Sequence, residues 1–169
     1  MGIFTSIELN TMEDLFVTQI EDLYDAEKRI VEALPKMVEG ATSQELRQAL
    51  NQHLDQTRNH VIRLEQVFAG LGRDAKGETC EAMKGLLKEG EEMLDAKGDP
   101  EVKDAALIAA AQRVEHYEIS GYGTARTLAE HLNLNQAASL LQATLDEEKE
   151  ADEKLTEIAE SEVNLRATQ

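Results

Sequence analysis

The sequence is short of residues that break helices, cross-link chains or cover large apolar surfaces. It holds two prolines, one cysteine, no tryptophan and 4% aromatics in 169 residues. Two prolines leave room for long uninterrupted helices. The single cysteine, Cys80, excludes an internal disulfide, which fits a reducing cytoplasm. It reads as a small apolar side chain. No run of 18 apolar residues exists, so no membrane-spanning helix is expected. The N-terminus lacks the charged start and apolar stretch of a secretory signal. The opening "MGIFTS" matches the loose pattern for myristoylation and is read as a chance match. Positive charge is also scarce, with 17 Lys and Arg against 34 Asp and Glu, a net charge of −17. Such a surface repels phosphate backbones and anionic lipid. Neither nucleic acid nor membrane is therefore an expected partner, and the expected compartment is the cytoplasm.

What is present is helical. Apolar residues make up 41% of the chain, and their 3.6-residue period runs through most of it. A first long helix is expected from Thr11 to Glu39, with Gly40 as its stop and a kink at Pro35. A second begins with "TSQE", Thr42 to Glu45, as a capping box and ends at "GLG", Gly70 to Gly72. The connection from Arg73 to Asp99 carries a short amphipathic helix, "CEAMKGLLKEGEEML". A third long helix opens at "GDPE", with Asp99 as N-cap and Pro100 at the first helical position. The fourth starts near Asn133 or Asn135, and the tail after Val163 is expected to fray. Two helical hairpins joined by a long crossover describe an all-α four-helix bundle with a short fifth helix. No internal repeat appears, so residues 1–169 read as one domain.

Each long helix interrupts its apolar stripe near mid-length. The first places Glu27 among Phe16, Ile20, Leu23, Ile30 and Leu34. The second places His53, Thr57 and His60 at i, i+4 and i+7. The third turns Glu115, Glu118 and Tyr122 inward, and the fourth offers Glu148 and Asp152 at i and i+4. Four interruptions at one depth describe a shared polar layer. Unpaired buried carboxylates cost several kcal/mol each or take up protons. Five facing acids therefore call for a cation, for protons or for water. A metal, the histidines or an arginine such as Arg63 or Arg113 would supply the charge. Carboxylates and imidazoles are the ligands of iron and manganese, and a carboxylate can bridge two ions. Simpler readings stand beside this one. The acids could sit at the stripe's edge and be solvated, and His53 and His60 could be ordinary hydrogen-bonded core-edge residues. Tyr122 and Tyr24 could be structural rings with a satisfied hydroxyl. His116 is one residue off the stripe and reads as an outer partner of a ligand. His131 reads as a surface charge at a helix C-terminus.

The stretches "LYDAEKRI…ALPKM", "HLDQT…RLEQVF", "DAALIAAAQRVEHYEISGYGT" and "TLDEEKEADEKL" together resemble the YciE/YciF family of bacterial ferritin-like proteins, over nearly the whole chain and in order. The resemblance implies a ferritin-like four-helix bundle, a homodimer and an association with stress responses. It also implies a di-metal centre of iron or manganese. Carried onto this sequence, its ligands are Glu27, His53, Glu115, Glu118, Glu148 and Asp152. Glu118 and Glu148 would bridge, Glu27 and His53 would be terminal ligands, and Thr57, His60, His116 and Tyr122 would be additional or outer residues. Ferritin-like carboxylate proteins use Glu-x-x-His on two helices. No histidine here has Glu three residues before it, and Ala151 stands where the fourth helix would carry its histidine. The expected activity is di-iron oxidase or peroxidase chemistry. The alternative is a non-enzymatic dimeric stress protein whose polar layer sets helix register. A DNA-protecting mini-ferritin is a third reading, disfavoured by the charge.

Overall fold

The computed structural model describes residues 7–168, so the "MGIFTS" motif lies outside the described residues. The described chain is helical: α1 Met12–Gly40, α2 Gln44–Gly70, α3 Glu81–Asp95, α4 Pro100–His131, α5 Asn135–Ile158, a π-helical turn Ala159–Val163 and α6 Asn164–Ala167. The bundle is formed by α1, α2, α4 and α5. The pairs α1/α2, α4/α5, α2/α5 and α1/α4 pack against one another, and α3 lies on α4 and α1. Both α2 and α4 start at the same end, where Thr42 and Ser43 meet Asp104. They therefore run parallel, and the long crossover carries the chain back to make this so.

Local chemistry explains the helix ends. Thr11 Oγ1 accepts the Asp14 amide at 3.0 Å while the Asp14 carboxylate accepts the Thr11 amide at 2.8 Å, a reciprocal cap for α1. α1 then runs on through Pro35 to Gly40. The capping box expected on Thr42 is corrected: Ser43 is the N-cap of α2, its hydroxyl accepting from the Leu46 amide. The reason is Asp104 of α4, 2% exposed, whose carboxylate takes the Thr42 and Ser43 amides at 2.8 and 2.6 Å. At the far end Gly72 adopts φ +67°, and the Arg73 amide donates to the Phe68 carbonyl to close α2. Cys80 caps α3: its sulfur accepts the Met83 amide and touches the Tyr117 hydroxyl at 3.1 Å. α5 begins at Asn135, because Asn133 takes the left-handed turn conformation at φ 58°. The expected fraying after Val163 is also corrected. Val163 is buried, and the π turn and α6 pack back onto α4.

The apolar stripes meet in two clusters rather than one. The first contains Ile30, Leu34, Leu46, Leu50, Leu107 and Leu155. The second contains Phe16, Ile20, Leu64, Phe68, Leu128 and Leu141. Between them lies a belt of fully buried polar side chains at mid-height of all four long helices. Gly121 lets α4 approach α1 beside this belt, since a Cβ there would stand 2.8 Å from a Leu23 methyl.

Candidate metal centre

The belt brings together Glu27 from α1, His53 and His60 from α2, Glu115 and Glu118 from α4, and Glu148 from α5. Glu27, His60, Glu118 and Glu148 are 0% exposed, Glu115 3% and His53 5%. They fall into two overlapping groups. His53, Glu115, Glu118 and Glu148 each place one ligand atom within 4.8 Å of the others, and so do Glu27, His60 and Glu148. Glu148 belongs to both; Glu118 belongs to the first alone. Four carboxylates and two imidazoles result, with both imidazoles supplied by one helix. Seven residues separate them along α2, about 10 Å of helix rise, yet their ring centroids lie 6.2 Å apart. The rings lean toward each other across the turn that carries Thr57.

One side of the centre is tightly held. His60 Nε2 lies 2.7 Å from Glu147 Oε2, and Arg63 clamps Glu147 with two bonds of 2.6 and 2.8 Å. His60 Nδ1 points inward, 2.8 Å from Glu148 Oε1 and 3.3 Å from Glu27 Oε1. The Tyr122 hydroxyl donates to Glu27 Oε1. On the other side His53 Nε2 stands 3.4 Å from Glu115 and 3.7 Å from Glu148. Among the described residues, its Nδ1 has no hydrogen-bond partner.

The electrostatics follow from burial. Burial pushes the Glu27, Glu115 and Glu118 carboxyls upward; the neighbouring Glu148 charge adds to this for all three, and His60 opposes it for Glu27. Burial acts on Glu148 in the same sense, but the neighbouring His60, His53 and Glu115 bring it down to about 2. Burial lowers the His60 imidazolium, and Glu27 and Glu148 outweigh it, raising His60 to about 10. Burial raises the Tyr122 phenol, reinforced by Glu27 and Glu118. The Arg63 bond holds Glu147 below the usual carboxylate range. His60 and Glu148 form one ion pair, and the remaining acids need protons or cations.

These residues can hold a metal ion. Glu27 Oε2, both oxygens of Glu118 and of Glu148, Glu115 Oε2 and the inward imidazole nitrogens are buried without a hydrogen-bond partner. Native interiors rarely leave such atoms unpaired. Here they are gathered around common points, and even the 2.8 Å approach of His60 to Glu148 is not aligned as a hydrogen bond. Two divalent cations would cancel the charge of the four carboxylates, leaving the imidazoles neutral, as ligands must be.

Three residues singled out from the sequence do not join either group. Asp152 is only half-buried and bonds Gln112 at 3.0 Å and His116 at 3.1 Å, outside both groups. His116 is exposed, paired with Asp152 on the outer surface. Thr57 is buried but spends its hydroxyl on the His53 carbonyl at 2.8 Å. Conversely, His60 sits in the centre rather than beside it. Arg63, a candidate source of positive charge from the sequence, holds Glu147 rather than an acid of the belt. Glu147, which holds His60, has no signal in the stripe pattern except that it adjoins Glu148. A larger cleft of about 560 Å³ lies at the bundle end near Asp104 and Glu162. Its two acids that bond Ser43 are already engaged, Asp104 by backbone amides and Glu162 by Arg166 at 2.8 Å.

Residues 11–168 match the family described as a domain of unknown function, DUF892. The chain belongs to this family. It is 44% identical to Protein YciF of Escherichia coli K12 over 162 residues, 95% of this chain and 98% of that one. The crystal structure of the E. coli stress protein YciF superposes with a TM-score of 0.89, covering 92% of this chain and 99% of that one. YcfI from Rhodopseudomonas palustris, for which a structural role has been put forward, is likewise 44% identical, with a TM-score of 0.86 over 92% and 98% of the two chains. A protein from Xanthomonas campestris pv. campestris shares the fold at 18% identity, with a TM-score of 0.75 over 94% and 100%. This DUF892 chain is thus a YciF-like helical bundle, and no helix among its described residues is long and apolar enough to cross a membrane.

Proposed function

We propose that this protein is a ferritin-like stress-response protein whose buried belt holds two iron or manganese ions. The reading rests on one observation above all: unpaired buried ligand atoms converge in two groups that share Glu148. Glu27 and His60 would hold one ion, His53, Glu115 and Glu118 the other, with Glu148 between them. When bound, such a pair supplies two electrons in one-electron steps, enough with two protons to reduce peroxide to water.

The protein's own contribution is positioning. Glu147 is an acceptor-only carboxylate, so His60 donates Nε2–H to it and keeps the Nδ1 lone pair for a ligand role. Arg63 fixes Glu147, and Tyr122 holds one oxygen of Glu27 so that the other stays free. The apolar clusters above and below shield the belt from water at both ends of the bundle. The protein is further proposed to act as a homodimer and, with its charge of −17, to leave duplex DNA unbound.

Elemental analysis of protein purified without added metal tests the reading. About two ions per chain are expected. A metal-free protein that also fails to take up Fe(II) or Mn(II) would instead assign the belt to helix register, the structural role favoured by the Arg63–Glu147–His60 tie between α2 and α5.

A further inference from the structure

The buried centre has one side that approaches the surface. Of its six ligand candidates, only Glu115 and His53 retain any exposure, 3% and 5%. Both line a cleft of about 60 Å³ between α2 and α5. Ala49 of α2 and Ala151 of α5 form part of its walls, with Gln52, Gln56, Glu150 and Lys154 also lining it. On the His60 side the Arg63–Glu147 clamp covers the ring, and His60 is 0% exposed.

Resting on the two-metal reading above, we propose that this cleft is the port of the centre, admitting hydrated divalent cations and molecules the size of oxygen or peroxide to the His53 side first. Size sets the class. Organic ligands occupy pockets of about 300–1,000 Å³, whereas about 60 Å³ holds a few water-sized molecules. The port owes its width to two alanines. Ala151 is the position at which a ferritin-like helix would carry a bulky ligand histidine, one turn of helix from Glu148. Charge favours cation entry: Lys154 is turned to Glu157 at 2.8 Å, Glu150 stands at the cleft, and the whole chain carries −17. Ions then reach the inner group, at Glu27 and His60, by way of Glu148.

Plugging the cleft separates this inference from the reading beneath it. Ala151→Leu and, from the opposite wall, Ala49→Leu keep strong helix formers and fill the space; Ser139→Leu, exposed and elsewhere on α5, is the control. The probe is Mn(II) alone, added to metal-stripped full-length protein and followed by loss of the free-ion EPR signal after rapid mixing. Circular dichroism verifies folding. Both plugged variants should load at least ten times more slowly than wild type and reach the same final occupancy, with the control unchanged. Plugged variants that load at the wild-type rate overturn the port and leave the metal centre standing. A lowered final occupancy in both makes the cleft part of the binding site and overturns its role as a route. A wild-type protein that takes up no Mn(II) or Fe(II) overturns the two-metal reading itself.

Discussion

At His60 both ring nitrogens face carboxylates, and Arg63 and Tyr122 secure those neighbours. At His53, two turns earlier on the same helix, Nδ1 has no hydrogen-bond partner among the described residues and Nε2 stands 3.4 Å from Glu115. The two sides of one centre therefore differ in pre-organisation. The His60 side is an ion pair supported from outside. The His53 side is a buried, unpaired donor set beside a cleft, with its carboxyls pushed upward and little to neutralise them. The difference separates what the belt does for folding from what it can do for chemistry.

The largest expected effect removes the residue both sides share. Glu148→Ala should take metal content from about two ions per chain to none, measured by elemental analysis after loading and desalting. Retention of two ions would show that Glu148 does not join the groups.

Next come single histidine changes, which should separate the sides. His60→Ala and His53→Ala should each lower metal content from about two ions to about one. In metal-stripped protein their stabilities should diverge. His60→Ala leaves Glu148 and the Glu147–Arg63 pair without their partner and should cost about 1–3 kcal/mol in urea unfolding. His53→Leu, which removes unpaired buried nitrogens, should be nearly neutral. Equal losses for the two would erase the contrast.

Proton linkage sharpens it further. His60 is raised to about 10 in the folded state, so its contribution is full below its unfolded value near 6.5 and lost as pH rises through about 10. The raised Glu27, Glu115 and Glu118 act in the same sense, their stabilising protonated forms being lost as pH rises. Glu148, lowered to about 2, contributes above the usual carboxylate range and loses that contribution only in strong acid. Metal-stripped protein should therefore fall in Tm from pH 5 to pH 9. Metal should remove or reverse the decline, because its ligands bind deprotonated. A Tm that rises with pH in the stripped protein would contradict the assignment.

The smallest effects on metal content fall outside the two groups. Asp152→Asn should leave metal content unchanged, because Asp152 faces Gln112 and His116. Tyr122→Phe should keep metal content and, by leaving the buried Glu27 Oε1 without its donor, cost about 1–3 kcal/mol in stability.

The sequence pattern made the four long helices, the crossover helix and the depth of the belt legible, because stripes of period 3.6 and breaks at Glu27, His53, Glu118 and Glu148 depend only on helical geometry. Contacts between distant segments left no such mark. Asp104 moves the α2 cap from Thr42 to Ser43, and Glu147 holds His60 from α5; neither pairing is visible along the chain. The placement of Asp152 shows the same limit. Spacing of i, i+4 puts it on the Glu148 side of α5, but whether such a residue enters the belt depends on helix rotation and on Gln112, which captures it.

The measurement that bears most directly on the centre is anomalous scattering from crystals grown without added metal. Two peaks are expected inside the belt, one on each side of Glu148 and about 3.5–4 Å apart, the first beside Glu27 and His60 and the second beside His53, Glu115 and Glu118. An ordered, metal-free belt in which protonated acids hydrogen-bond to one another, or peaks confined to the surface carboxylates, would contradict the account.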